Sequence, residues 1–280
     1  MLPSHRRLIS LGALLLLLGA GLPTMLKLFA NSMLFYPTQG QSRSPADMGL
    51  DYEELRLPVG KAEVEAWWIP GTRSNGAQGS AGGPVLLMFH GNAGTMADRL
   101  DNVLRMVDLL GVGVFAVEYP GYGNSTGKPS EKALFAAGSA GYTEARKRAG
   151  DRKLIVFGRS LGGAVAIDVA SKHPVDALIA ESTFTSLPDM AKRMGIPLAR
   201  FFSPYQFNSI NKMQAISVPT LISHGDQDDL IPYSMGRSLY DASPSTNKSL
   251  HTVEGGEHNG IWGTGGQAYW QAWAKFIKQF

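Results

Sequence analysis

The chain has 280 residues, enough for one large α/β domain with its own core and too few for two such domains beside a leader. Hydrophobic residues make up 44% and charged residues 18%, with no long polar or single-sign run, which excludes an intrinsically disordered chain. A net charge of +3 without a basic stripe argues against nucleic-acid binding, and the absence of cysteine removes disulfides, thiolate metal sites and cysteine nucleophiles together.

At the amino terminus His5-Arg6-Arg7 precedes a largely apolar stretch, 8–30, with 14–18 an unbroken run of leucine. About twenty apolar residues span a bilayer as a helix. Arginines in front of the stretch place that end in the cytoplasm, and Lys27 near the far end can snorkel to the interface. Residues 1–32 are therefore expected to be an uncleaved anchor, with the soluble domain, 33–280, extracytoplasmic or periplasmic. The alternative is a cleaved signal peptide whose core ends at Pro23 and which releases a secreted protein.

After an apolar juxtamembrane patch at 33–37, residues 53–57 and 62–69 read as antiparallel strands, and the glycine-rich stretch 70–84 as a surface loop. The run 85–89 is continuously apolar, as a strand covered on both faces should be. Met96, Leu100, Val103, Leu104, Val107 and Leu110 then recur at helical spacing, stopped by Gly111. Strand 114–117, helix 130–148, strand 154–157, a helix after Ser160 and strand 177–180 follow, then strand 220–223, a helix around 235–242 and strand 250–253. Such alternation predicts an α/β fold: a mostly parallel sheet with helices on both faces. One interval, about 187–217, holds three prolines and several aromatics but no strand, which marks it as a cap-like insertion.

The junction Gly158-Arg159-Ser160-Leu161-Gly162-Gly163 lies between a predicted strand and a predicted helix, the context of a nucleophile elbow. A sharp turn there strains Ser160 and brings main chain close on both sides, where only glycine fits. A serine nucleophile needs an imidazole to take its proton and a carboxylate to orient that imidazole. His258, in the loop after the last predicted strand, is the leading base. Three aspartates follow strand 220–223. Asp228 is the first choice of acid, Asp226 the second, and Glu181 at another strand end the third. The chain order is then Ser, Asp, His. Donors for an oxyanion are expected at the N–H of Leu161 and, in the loop His90-Gly91-Asn92-Ala93-Gly94, at the N–H of Asn92, with Ala93 next. His90 itself reads as a loop brace, because His258 fills the base role.

That loop, Glu118-Tyr119-Pro120-Gly121-Tyr122-Gly123-Asn124-Ser125, the elbow, Glu181-Ser182-Thr183-Phe184-Thr185-Ser186 and His224-Gly225-Asp226-Gln227-Asp228 occur in the order found in one branch of the α/β-hydrolase superfamily. From about Leu55 onward the chain resembles membrane-anchored serine hydrolases related to fungal bud-emergence proteins and eukaryotic protein depalmitoylases. The resemblance implies Ser160 as nucleophile, Asp228 as acid, His258 as base, and oxyanion donors at Asn92 and Leu161. Thr183 stands where that family often has proline, and the depalmitoylases' cysteine cluster is absent, so palmitoyl-protein specificity is not carried over.

The expectation is a serine hydrolase with no cofactor and no metal, acting on a small-molecule or lipid-like ester or thioester. The aromatic stretch Phe201-Phe202-Ser203-Pro204-Tyr205-Gln206-Phe207 points to the lipid-like acyl group. A serine peptidase on the same triad is one alternative, and a non-catalytic, membrane-tethered binding protein on a hydrolase scaffold is another. Oligomeric state has no signature in the sequence.

Overall fold

The structure is a computed structural model that describes residues 31, 32, 34–71, 82–195 and 204–280. Its strands are β1 (Tyr36–Pro37), β2 (Glu53–Val59), β3 (Ala62–Ile69), β4 (Val85–Phe89), β5 (Ala93–Gly94), β6 (Gly113–Val117), β7 (Leu154–Arg159), β8 (Ala177–Glu181), β9 (Thr220–Gly225) and β10 (Lys248–Val253). The helices are α1 (Leu100–Leu110), α2 (Glu131–Ala149), α3 (Leu161–Lys172), α4 (Leu187–Arg193), α5 (Ser209–Met213), α6 (Tyr233–Ala242) and α7 (Ile261–Ile277).

Successive side chains of a strand point to opposite faces, and the apolar runs use both. In β4, Val85, Leu87 and Phe89 enter one core while Leu86 and Met88 enter the other. The same division holds in β6, β7 and β8, so these four strands are buried on both sides, as their unbroken apolar runs predict. Helices α1 and α7 cover one face, and α2, α3, α5 and α6 cover the other.

The strands form an eight-stranded sheet in the order β10-β9-β8-β7-β4-β6-β3-β2. From β10 to β6 every pairing is parallel, and β3 and β2 add an antiparallel edge. Pro58, which has no N–H to give a ladder, lies in the edge strand β2, where that loss is tolerated. The carboxyl ends of the parallel strands therefore emerge along one rim, where ligands collect in such sheets.

Several elements extend beyond the predicted spans. Strand 53–57 continues to Val59 and strand 220–223 to Gly225, while the helix expected from Met96 opens with a 3-10 turn (Met96–Arg99) before α1. Two features carry no advance signal: the short parallel pair β1 and β5, and α7. Gly266 interrupts α7 with φ 50° and ψ −133°, but Tyr269, Trp270, Trp273 and Phe276 beyond it are buried against the sheet.

The interval after β8 holds α4 and α5 and, among the described residues, no strand. Tyr205 and Phe207 are buried, with ring centroids 5.4 Å and 6.5 Å from Phe35, and Phe207 also meets Phe135 and Phe184. These two rings are packed into the core, drawn in by the apolar contacts available to them; 201–203 lie outside the described residues. Among the described residues no helix is long and apolar enough to cross a membrane, and all of the expected anchor, 1–32, except residues 31 and 32 lies outside them.

Candidate active site

Ser160 stands between the end of β7 and the start of α3 with φ 55° and ψ −122°. A left-handed backbone at a non-glycine residue costs on the order of 1–3 kcal/mol and persists only where neighbours fix it. Here the Ser160 N–H donates to the Glu181 carbonyl at 2.9 Å. The Ser160 carbonyl accepts from the Gly163 N–H at 2.9 Å and the Thr183 hydroxyl at 2.7 Å. The glycines answer to contact distances. A Cβ on Gly158 would lie 2.0 Å from the Gly162 carbonyl oxygen, one on Gly162 would lie 2.2 Å from the Phe89 oxygen, and one on Gly163 would lie 2.5 Å from Thr183 Oγ1.

The loops after β9 and β10 bring the acid and the imidazole to the same rim. They cross in contact, for a Cβ on Gly225 would lie 2.0 Å from the Gly256 oxygen. His258 Nε2 is 3.2 Å from Ser160 Oγ, and His258 Nδ1 is 2.9 Å from Asp228 Oδ2. All three side chains are buried. The remaining lone pairs of Asp228 are used as well: Oδ1 accepts the N–H groups of Ile231 at 2.7 Å and Leu230 at 3.1 Å. Burial alone would raise the Asp228 pKa, but hydrogen bonds from His224 and His258, the charge on His258 and the Ile231 N–H outweigh it and hold the carboxyl well below its ordinary range. An ionised carboxylate only accepts, so His258 Nδ1 donates to it, and the neutral imidazole then has its Nε2 lone pair on the side of the serine hydroxyl.

The two other acids have different partners. Asp226 Oδ1 accepts the Gly255 N–H at 2.7 Å, which ties the β9 and β10 loops together. Glu181 is buried, lies 3.3 Å from Arg159 Nε and accepts the Tyr269 hydroxyl, and burial pushes its pKa up. Of the three acids considered from the sequence, only Asp228 bonds His258.

The loop after β4 passes beside the elbow, since a Cβ on Gly91 would lie 3.5 Å from Ser160 Cβ. Its carbonyls are engaged from behind. His90 O accepts the Tyr119 hydroxyl at 2.7 Å, Asn92 O accepts the Tyr122 hydroxyl at 2.8 Å, and Ala93 O accepts from Arg99 Nη2 at 2.7 Å. The His90 ring is buried, with Nε2 2.5 Å from Glu118 Oε1, in the bracing position expected of it. The Leu161 N–H, in the first turn of α3 directly after Ser160, has no acceptor inside its own helix and meets the positive end of the helix dipole.

Sequence reasoning missed three residues around this centre. His224 Nε2 lies 2.8 Å from the Ile231 carbonyl, which fixes its proton there, and 3.3 Å from Asp228 Oδ2. Thr183 holds the strained serine carbonyl. Arg159 reaches across the elbow to donate to the His258 carbonyl and, at 3.3 Å, to Asn259 Oδ1, while Glu181 holds its Nε. Each lies within a quoted motif, but none belongs to a periodic pattern that would have announced its role.

A family model described as "Serine aminopeptidase, S33" matches residues 83–211 and 205–261. The chain is 31% identical over 288 residues to the alpha/beta hydrolase domain-containing protein WAV2 of Arabidopsis thaliana, covering 91% of this chain and 90% of that one. It is 30% identical over 261 residues to protein bem46 of Schizosaccharomyces pombe, covering 88% and 85%. With the lysophosphatidylserine lipase ABHD12 of Danio rerio it shares 32% identity over 192 residues, covering 61% of this chain and 50% of that one. Among solved structures, the Pyrococcus furiosus esterase Pf2001 has the same fold, with a TM-score of 0.72 over 88% of this chain and 98% of its own, at 17% identity. Sheet order, strand directions and these matches agree: the chain belongs to the α/β-hydrolase family.

Proposed function

We propose that the chain is a serine hydrolase that cleaves carboxylic esters or thioesters through an acyl-enzyme on Ser160. The observation that carries this reading is the unbroken line from Ser160 Oγ to His258 Nε2 at 3.2 Å and from His258 Nδ1 to Asp228 Oδ2 at 2.9 Å. Ser160 Oγ attacks the acyl carbonyl as its proton passes to His258 Nε2, and Asp228 stabilises the imidazolium. The N–H groups of Asn92 and Leu161 receive the oxyanion. Collapse breaks the bond to the alcohol or thiol, which takes the proton from His258. Water then attacks the acyl-enzyme by the same proton path and releases the carboxylic acid.

A lipid-like acyl group fits best. A relative carries the name of a lysophosphatidylserine lipase. A large apolar side chain, Leu230, is exposed two residues along the chain from Asp228. We place the domain at a membrane, tethered by the apolar segment at 1–32, on the extracytoplasmic side. The family description favours a second reading, a serine aminopeptidase on the same triad. Rates on p-nitrophenyl esters against aminoacyl amides separate the two. The primary test is fluorophosphonate labelling. Wild-type protein is expected to label and Ser160→Ala to lose the label, and undiminished labelling of the variant refutes the nucleophile.

A further inference from the structure

The segment that leads from the apolar run into the domain does not simply connect them. Residues 34–41 lie along two loops of the site. Tyr36 pairs in parallel with Ala93 and Pro37 with Gly94, and the Tyr36 N–H donates to the Asn92 carbonyl at 3.1 Å. Asn92 answers from its side chain, with Nδ2 donating to the Leu34 carbonyl at 3.1 Å. Farther along, the Gly123 N–H donates to Thr38 O at 2.8 Å and the Gly40 N–H to Gly123 O at 2.9 Å. Gln41 reaches Glu118 Oε2 at 3.0 Å with its amide nitrogen and accepts the Ala97 N–H at 3.2 Å with its oxygen. Phe35, 4% exposed, seats the start of the segment against Tyr205 and Phe207.

We propose that this strap is a positioning element for the reaction, because it pins Asn92, whose N–H is the proposed oxyanion donor, by both its carbonyl and its side-chain amide. The reasoning rests on the serine-hydrolase reading given above. A peptide unit is planar and trans, so its carbonyl and N–H point opposite ways. With its carbonyl held toward the strap by the Tyr36 N–H and its side chain held by the Leu34 carbonyl, Asn92 cannot rotate to redirect its own N–H, and the N–H of Ala93 faces away from the strap. Without the strap, that carbonyl keeps only the Tyr122 hydroxyl, and Asn92 Nδ2 loses its acceptor. An oxyanion hole works only when its donors are aimed before the charge develops. The strap therefore makes the residues just beyond the apolar segment part of the catalytic centre, and activity depends on how that segment is held.

The test uses the full-length chain in detergent. Tyr36→Pro deletes the N–H that binds Asn92 O, whereas Tyr36→Ala keeps it and removes only a side chain that is 52% exposed. Hydrogen–deuterium exchange over 90–95 reports the loop, and kcat and KM on p-nitrophenyl acetate report the chemistry. For Tyr36→Pro the loop is expected to exchange about tenfold faster or more, and kcat to fall about tenfold or more with KM within about twofold. Tyr36→Ala should match the wild type in all three. Where Tyr36→Pro does not fold, Phe35→Ala loosens the same strap and Phe35→Leu restores it. Unchanged loop exchange in the strap variants overturns the proposal whatever the activity. Faster exchange with unchanged kcat overturns the catalytic role. A wild-type protein that turns over no ester but whose loop loosens in Tyr36→Pro refutes the hydrolase reading and leaves the strap standing.

Discussion

Replacing Asp228 by asparagine changes one atom, and the structure dictates how the new amide must sit. Oδ1 accepts two main-chain N–H groups, from Ile231 at 2.7 Å and Leu230 at 3.1 Å. An amide nitrogen there would face two donors, so the oxygen of asparagine keeps that place and its NH2 takes the position of Oδ2, 2.9 Å from His258 Nδ1. That NH2 donates, which forces His258 Nδ1 to accept and moves the ring proton to Nε2. Nε2 then presents a proton to Ser160 Oγ and cannot take one. Shape is preserved and the tautomer is wrong, a change worth about 10⁴ in kcat, or about 5 kcal/mol in activation free energy. Steady-state hydrolysis of p-nitrophenyl acetate by Asp228→Asn measures it, with a thermal melt as the check that the fold survives. Asp228→Ala should lose a comparable amount, so the two variants together separate tautomer from size. A loss below about tenfold in Asp228→Asn would refute the argument that Asp228 sets the imidazole's proton.

Two further outcomes concern stability. Thr183→Val removes the hydroxyl that donates to the Ser160 carbonyl at 2.7 Å but leaves that carbonyl the Gly163 N–H, so a loss of about 1 kcal/mol is expected, seen as a fall in Tm of about 2–4 °C; an unchanged Tm contradicts it. His251, partly buried beside Tyr269, has its pKa lowered by burial. A folded-state pKa below the unfolded value of 6.5 means that the contribution of this group is present above pH 6.5 and lost as pH falls through the folded value. His251→Phe should remove that loss, so the Tm difference between variant and wild type grows in favour of the variant from pH 7 to pH 5, and a constant difference rejects the assignment.

The parallel strands were legible because a strand buried on both faces has only one way to look in sequence, an unbroken apolar run. The elbow was legible because its glycines are forced by backbone contacts closer than any side chain allows. Asp228 and His258 could be proposed from their order and their places at strand ends, but the choice among Asp228, Asp226 and Glu181 depended on which oxygen meets which nitrogen. That is three-dimensional information. Helix α7 escaped notice because Gly263, Gly265 and Gly266 break its pattern where a helix would start, and tertiary burial of Tyr269, Trp270 and Trp273 overrides that weak propensity. The β1 and β5 pair is two residues long and has no periodicity to read. Arg159 and His224 belong to polar contacts between distant segments, which leave no mark on local composition.

The crowding around Gly158, Gly162 and Gly163 also sets where this protein can change. A single added methyl at any of them meets another atom at 2.0 to 2.5 Å, so laboratory evolution at the elbow should return almost nothing but wild type. Gly195 after α4 and Gly260 before α7 have no atom within 4 Å of a built Cβ, and their positive φ is one that asparagine also adopts. Libraries that recruit the scaffold to new esters should therefore leave the elbow untouched and be spent on the loops that carry those two open positions.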